Sequence, residues 1–127
     1  MQFGFSKITD YNFEQAVEKI TEELKKEGFG ILSSIDFKDT FNKKLSVDYK
    51  KYIVLGACNP PLAHKALQAD EEVGLFLPCN IAVYEKDGKT NISVFDPLFI
   101  TTVIDNPQIK SVAEEVKKKL ERVLETV

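Results

Sequence analysis

The stretch CNIAVYEKDGKTNISVF, residues 79–95, decides the fold because it has the pattern of two strands joined by a tight turn. Asp87-Gly88 separates two alternating apolar runs, and a two-residue hairpin loop needs positive φ at both of its positions. That loop sets the register, and on the core-side face we expect to find the pairs Val83 with Ile92, Ile81 with Val94 and Cys79 with Asp96. The sequence therefore predicts an antiparallel hairpin with Cys79 on its buried face.

Further strands and helices are indicated on both sides of this hairpin. Residues 3–8 and 29–36 alternate like half-buried strands, and the apolar run from Tyr52 to Leu55 suits a central strand that runs to Gly56. Three helices have a start signal: an Asn12/Gln15 capping box precedes a helix from Phe13, Asn59-Pro60 precedes a helix to Ala69, and Asn106-Pro107 precedes an amphipathic helix to Val127. Two shorter segments are also indicated, a helical pattern over residues 37–45 and a short turn or helix at Asp96-Pro97. This order predicts an α+β fold, with a single antiparallel sheet packed against helices in one domain over residues 1–127.

Size and charge exclude several classes of protein. The 127 residues are 43% apolar and 29% charged, which suits one hydrophobic core. With 17 basic and 20 acidic side chains the net charge is -3, and a weakly acidic surface does not attract phosphate backbones, so we expect no nucleic-acid partner. The chain shows no secretory signal pattern, and no apolar run approaches the roughly 20 residues of a membrane span. Two cysteines are too few for a secreted disulfide scaffold, so we expect a cytoplasmic protein with free thiols.

The candidate site consists of two Cys-Asn pairs, Cys58-Asn59 and Cys79-Asn80. If the strand before Cys58 runs antiparallel to the strand that begins at Cys79, both pairs lie at one edge of the sheet. The N-terminus of the Pro60 helix lies there too, and its dipole favours anions and a lowered thiol pKa. We therefore expect a ligand-binding pocket lined by these four residues, with Cys58 as the more reactive thiol.

Each of these residues also has a purely structural interpretation. Cysteines are often simply buried, and Asn59 suits a helix cap. His64 is the only histidine, and its helix position points away from the apolar side, so it suits a solvent-facing residue as well as a catalytic one. A zinc site at Cys58, His64 and Cys79 would need a fourth ligand such as Asp96 and matches no standard spacing, so we expect no metal. The sequence identifies no cofactor.

A family resemblance is carried by the two cysteine segments, LGACNPPLAH at residues 55–64 and LPCN at residues 77–80. Together with Gly28-Phe29-Gly30 and Asp96-Pro97, they make the chain resemble the family called domain of unknown function 302, over nearly its whole length. The resemblance implies a TATA-binding-protein-like α+β fold of β-α-β(4)-α order with extra short helices, and commonly a homodimer. It implies no reaction.

Three functions remain open on the sequence. The first is binding of a small ligand or anion in the pocket of Cys58, Asn59, Cys79 and Asn80. The second is a thiol-based redox or cysteine-dependent enzyme with candidate catalytic residues Cys58, His64 and Cys79, in which His64 acts as base and Cys79 as resolving thiol. The third is a homodimeric interaction or scaffold protein without a catalytic site, which would use the helix at residues 109–127 or an exposed strand edge.

Overall fold

The computed structural model describes residues 3–127 and contains a five-stranded antiparallel sheet. Its strands are β1 (Gly4–Thr9), β2 (Gly30–Asp36), β3 (Tyr52–Cys58), β4 (Cys79–Lys86) and β5 (Lys89–Phe95). They lie side by side in the order β1-β5-β4-β3-β2, and every neighbouring pair is antiparallel. The predicted α+β fold with a single antiparallel sheet is confirmed.

The hairpin that joins β4 to β5 has the predicted turn. Asp87 and Gly88 have φ angles of 53° and 75°, as a two-residue loop between twisted strands requires. Ile81 pairs with Val94 and Val83 pairs with Ile92, as predicted. The predicted partner of Cys79 is wrong, because β5 ends at Phe95 and Asp96 instead caps a short 3₁₀ segment, Pro97–Thr102, by accepting a hydrogen bond from the Leu98 amide.

Four α-helices pack with this sheet, and asparagine side chains cap three of them. The helices are α1 (Phe13–Lys26), α2 (Phe37–Leu45), α3 (Pro60–Ala69) and α4 (Pro107–Glu125). Asn12 and Gln15 form the predicted capping box, Asn59 caps α3 and Asn106 caps α4. In residues 3–127 no helix is both long and apolar enough to cross a membrane. The element order is β-α-β(4)-α, with α2, α3 and two 3₁₀ segments between and after the strands.

The main core lies between one face of the sheet and the helices α1 and α4. Alternate residues of the hairpin strands face this core, including Ile81, Val83 and Ile92, all fully buried. The apolar stripe of α4 is buried against the same chain along its whole length: Ile109, Ala113, Val116, Leu120, Val123 and Leu124. Folding already covers the apolar side of this helix, so the predicted interaction through it stays a prediction and would have to use its polar side.

A second, smaller apolar cluster packs beside the main core. It consists of Ala66 from α3, Val73 from the 3₁₀ segment Glu71–Phe76, Ile100 and Ile109. These residues lie between β3 and β4 or after β5 in the chain. The cluster therefore adjoins the edge of the sheet where β3 and β5 end and β4 begins. The candidate site lies where the two clusters meet.

Candidate functional site

The end of β3 and the start of β4 meet, as the topology predicted. Ala57 pairs with Cys79 and Gly56 pairs with Asn80, so Cys58 is one residue beyond the position opposite Cys79. The chain then passes through Asn59 into α3. Residues separated by about 20 positions in sequence therefore form one corner, which we call the thiol corner and define as Cys58, Asn59 and Cys79.

A cavity of about 50 Å³ lies at the thiol corner, between the two apolar clusters. All three residues of the corner line it, and its remaining wall is formed almost entirely by apolar side chains, among them Phe29, Ala57, Leu62, Ala66, Val73, Ile100 and Ala113. A single water needs roughly 10 to 15 Å³ of such space, so this cavity has room for a few non-hydrogen atoms. An apolar wall favours an apolar guest, because it offers few partners for hydrogen bonds.

Both cysteines are free thiols, and both are desolvated. Cys79 is only 9% exposed, and Cys58 is half-buried. Burial raises the pKa of Cys58 above its usual range, and burial with a smaller contribution from Cys58 raises the pKa of Cys79 to about 11. The prediction of a lowered pKa at Cys58 is therefore wrong, because the loss of hydration disfavours the thiolate and no cationic side chain offsets it in the part of the chain that is described.

Asn59 is committed to holding the corner together. Its side-chain oxygen accepts a hydrogen bond from the Leu62 amide at 3.3 Å, which caps α3. Its side-chain nitrogen donates to the Glu27 carbonyl oxygen at 3.2 Å, which ties α3 to the end of α1. Gly28 has a φ of 85°, and a side chain there would come within 3.1 Å of the Asn59 nitrogen. Both polar ends of Asn59 are thus occupied within the protein.

Asn80 lies outside the cavity. Strand residues alternate between the two faces of a sheet, and Cys79 and Ile81 are buried on the helix side whereas Asn80 is exposed on the other. The prediction of a single pocket lined by all four residues is therefore wrong for Asn80. The other three do line one cavity.

His64 is exposed on α3 and is not part of the cavity wall. Leu62 and Ala66 occupy the buried side of the same helix, which turns the histidine toward solvent as its helix position indicated. The structure does not bring His64 into the thiol corner as the predicted base. Across residues 3–127, no group of three or more His, Cys, Asp or Glu side chains is arranged to hold a metal ion.

Sequence reasoning did not identify the rest of the cavity wall. The wall comes from both apolar clusters, and its residues look like ordinary core positions in the sequence. One signal is visible afterwards: alanines at positions 57, 63, 66 and 113 lie on elements that converge here, and small side chains leave space between converging elements. Their convergence depends on tertiary packing, so composition alone could not indicate it.

Sequence reasoning also missed an aromatic cluster on the opposite face of the sheet. Tyr52 pairs with Tyr84 across β3 and β4, and their rings stack at 5.0 Å between centroids. Phe37 and Phe41 of α2 extend the cluster, and Tyr49 contacts Phe41 edge-to-face. The spacing of four between Phe37 and Phe41 is the available signal, but by itself it indicates a short helix and not a cluster with residues of β3 and β4.

Comparison with known proteins adds a family to this geometry. The family model described as "Domain of unknown function DUF302" matches residues 5–127. A crystal structure of the uncharacterized conserved protein DUF302 from Bacillus stearothermophilus is similar, with a TM-score of 0.92 and 28% sequence identity, over 99% of this chain and 98% of that chain. No curated protein matches this chain. The chain therefore belongs to the DUF302 family, a domain of unknown function.

Proposed function

We propose that the protein binds a small, largely apolar ligand in the cavity at the thiol corner. The observation that carries this proposal is a preformed space of about 50 Å³ with an almost wholly apolar wall, bordered by two free thiols. Protein interiors normally contain few voids larger than a water molecule. An apolar void between the two apolar clusters is therefore suited to bind an apolar molecule. Sulfur is polarizable, so the two thiols favour contact with such a guest without requiring charge.

An anion is a poorer guest for this cavity. The Leu62 amide at the start of α3 already donates to Asn59, and Asn59 is itself fully engaged. An anion would lose its hydration shell against apolar walls and gain few hydrogen bonds in return. The same desolvation that raises the pKa of Cys79 to about 11 acts against any negative charge placed beside it.

Xenon and dichloromethane are suitable probes because both are uncharged and have no more than three non-hydrogen atoms, which suits a cavity of about 50 Å³. We expect either probe to shift the NMR signals of residues that line the cavity, such as Ala57, Cys79 and Val73, in a saturable way. Ala113→Val adds bulk to the cavity wall and should weaken binding by about tenfold or more.

The matched control is Ala82→Val, which adds the same two carbons on the other face of the sheet and should leave binding unchanged. If Ala113→Val proves unstable, Ala66→Val fills the same cavity from α3. The proposal would be contradicted if neither probe gave saturable NMR shifts, or if the shifts were unchanged in both Ala113→Val and Ala66→Val.

Thiol redox chemistry is a second candidate because Cys58 and Cys79 border one cavity and Cys58 contributes to the raised pKa of Cys79. Disulfide formation would need a two-electron acceptor such as glutathione disulfide, which would leave as two glutathione thiols while the pair loses two protons and two electrons. The raised pKa of both thiols and the exposed position of His64 make this function the weaker one.

Alkylation by iodoacetamide at pH 7.5 separates the two candidates. A ligand-binding role predicts that Cys58 reacts more slowly than free cysteine and that Cys79 reacts more slowly still, since the thiolate is the reactive form. Faster labelling of Cys58 than of free cysteine would favour redox chemistry instead.

Compartment and assembly remain predictions. Two unpaired thiols suit a reducing compartment, and we propose the cytoplasm. With the apolar side of α4 buried, a homodimer would have to use other surfaces, such as the edge strands β1 and β2, where Ile8 and Leu32 are exposed. Light scattering coupled to gel filtration would measure the mass in solution.

A further inference from the structure

A second candidate binding site lies on the face of the sheet opposite the thiol corner. An open groove of about 280 Å³ is lined by Phe37, Phe41, Tyr49 and Tyr52. We call it the aromatic groove. It shares no residue with the cavity at the thiol corner, so the two binding proposals can be tested independently of each other.

The rings of the aromatic groove form walls that are only partly covered. Phe37 meets Tyr52 at an interplanar angle of 79°, and Phe41 meets Tyr49 at the same angle. Helix α2, which supplies both phenylalanines, has no buried residue, and Tyr49 is 38% exposed. Aromatic surface therefore remains open to solvent, and a planar ring can stack on such surface. The volume lies near the lower end of the range for ligand sites and suits one ring system.

The segment that carries the aromatic groove is basic, in contrast to the protein as a whole. Residues 37–52 contain five lysines and two aspartates, a net charge of +3 in a chain whose net charge is -3. Three of the lysines form ion pairs, namely Lys38 with Asp48, Lys43 with Asp39, and Lys51 with Glu14. Lys44 and Lys50 have no carboxylate within ion-pair distance in residues 3–127.

Lys50 is placed to complete a site for a negatively charged group. Its ammonium lies 5.9 Å from the centroid of the Tyr49 ring and 5.3 Å from that of Tyr84. Lys50 borders the groove through Tyr49 and also lines a neighbouring depression with Glu85 and Asp87, but neither carboxylate is within ion-pair distance, so its charge remains available for a ligand. The local positive charge also disfavours an organic cation, the other class of ligand that aromatic walls attract.

We propose that the aromatic groove binds a planar aromatic anion, with the ring stacked between the walls and the anionic group near Lys50. Adenosine monophosphate, adenosine and inorganic phosphate test the parts of this proposal separately, and indole-3-acetate tests a carboxylate in place of a phosphate. We expect at least one of the two aromatic anions to shift the NMR signals of residues 37–52 saturably, about tenfold more tightly than its neutral counterpart, adenosine or indole, while phosphate alone gives no saturable shift.

Lys50→Ala removes the exposed cation and none of the four rings that line the aromatic groove, and it should reduce the affinity for the aromatic anion to that for its neutral counterpart, adenosine for adenosine monophosphate and indole for indole-3-acetate. Lys110→Ala, at an exposed lysine of α4, is the matched control and should change nothing. The anion affinity should also fall as salt is raised, since the cation is exposed to solvent. Binding of neither anion above the level of its neutral counterpart, or binding that is unchanged by Lys50→Ala, would overturn the proposal.

Discussion

Gly56 shows how a single residue sets the spacing of the strands beside the thiol corner. It lies in β3 between β2 and β4, and the position that a side chain would occupy is already filled by the hydroxyl oxygen of Ser33 and by the ring of Pro78, whose Cγ would be 2.7 Å away. Real Cβ atoms do not approach other atoms this closely. The backbone of β3 can therefore approach its neighbours here only because the residue is glycine.

Gly56→Ala should destabilise the protein by about 1 to 3 kcal/mol, because the new methyl group has to displace Ser33 and Pro78. Gly30→Ala is the matched control: Gly30 lies on the adjacent strand β2, nothing lies within 4 Å of its Cβ position, and we expect a change of less than about 1 kcal/mol. Urea denaturation measures both. Equal losses in the two variants would show that the close contacts at Gly56 carry no energetic weight.

At the thiol corner, the sequence predicts which residues meet but not how their environment changes their chemistry. The meeting of Cys58 and Cys79 was predicted on the condition that β3 and β4 pair antiparallel, and the structure shows this pairing. The direction of the Cys58 pKa shift was not predicted correctly, since it depends on how much water distant side chains exclude. The crowding at Gly56 was equally invisible, because Ser33 and Pro78 reach it from two other strands or their ends.

At the scale of elements, α3 is held in place mainly through its first residues. Asn59 both caps the helix and donates to the Glu27 carbonyl oxygen, so one side chain fixes α3 relative to α1. Asn12 caps α1 with hydrogen bonds only to its own capping box, and it is exposed. The two caps differ because Asn59 is buried and contacts a second helix, whereas Asn12 is exposed and contacts only its own helix, although their sequence signals are alike.

Asn59→Ala should cost about 2 kcal/mol or more, because it removes a cap and leaves the Leu62 amide and the Glu27 carbonyl without their partner. Asn12→Ala should cost about 1 kcal/mol. Asn59→Asp retains the oxygen that caps the helix but loses the donor to Glu27, so its loss should fall between that of Asn59→Ala and zero. Chemical denaturation of the three variants tests this order, and a cost for Asn59→Ala no larger than for Asn12→Ala would contradict it.

Most elements could be predicted because their signals are local. The helix α3 was predicted with its observed bounds, since Asn-Pro marks its start and apolar periodicity its length. The strand β3 was predicted to end near Gly56 but extends to Cys58, because pairing with β2 and β4 continues beyond the apolar run. The 3₁₀ segment Glu71–Phe76 was missed, since short 3₁₀ turns have little periodicity of their own.

At the scale of the whole molecule, the two ends of the described chain are bound to each other. The Lys7 ammonium in β1 donates to the carbonyl oxygens of Leu124 and Glu125 at the end of α4, and the Thr9 hydroxyl donates to the Val127 carbonyl oxygen. Such contacts join positions more than 100 residues apart, and no local pattern in the sequence indicates them. They join the end of α4 to the edge strand β1, and the apolar stripe of α4 is buried in the core.

Glu23 of α1 lies near the end of α4, beside Thr126, and its ionisation affects the free energy of unfolding. Its side chain is only 8% exposed and accepts hydrogen bonds from Lys26 and Lys19, which lower the pKa of the carboxyl from 4.5 to about 2 against the opposing effect of desolvation. A carboxyl whose pKa is lower in the folded state stabilises that state fully above the unfolded value, near pH 4.5. The stabilisation is lost as the pH falls through about 2.

Glu23→Gln should therefore lower the free energy of unfolding at pH 7 and also flatten its decline between about pH 5 and pH 2, because the variant has no carboxylate to protonate at this position. Glu18→Gln, at an exposed glutamate on the same helix, should reproduce the pH profile of the unmodified protein. Urea unfolding at a series of pH values gives all three profiles. If the Glu23→Gln profile fell in parallel with the unmodified one down to pH 2, the carboxylate of Glu23 would not be a source of acid sensitivity, and the decline would be assigned to the other carboxyls with a lowered pKa, Glu14 and Glu27.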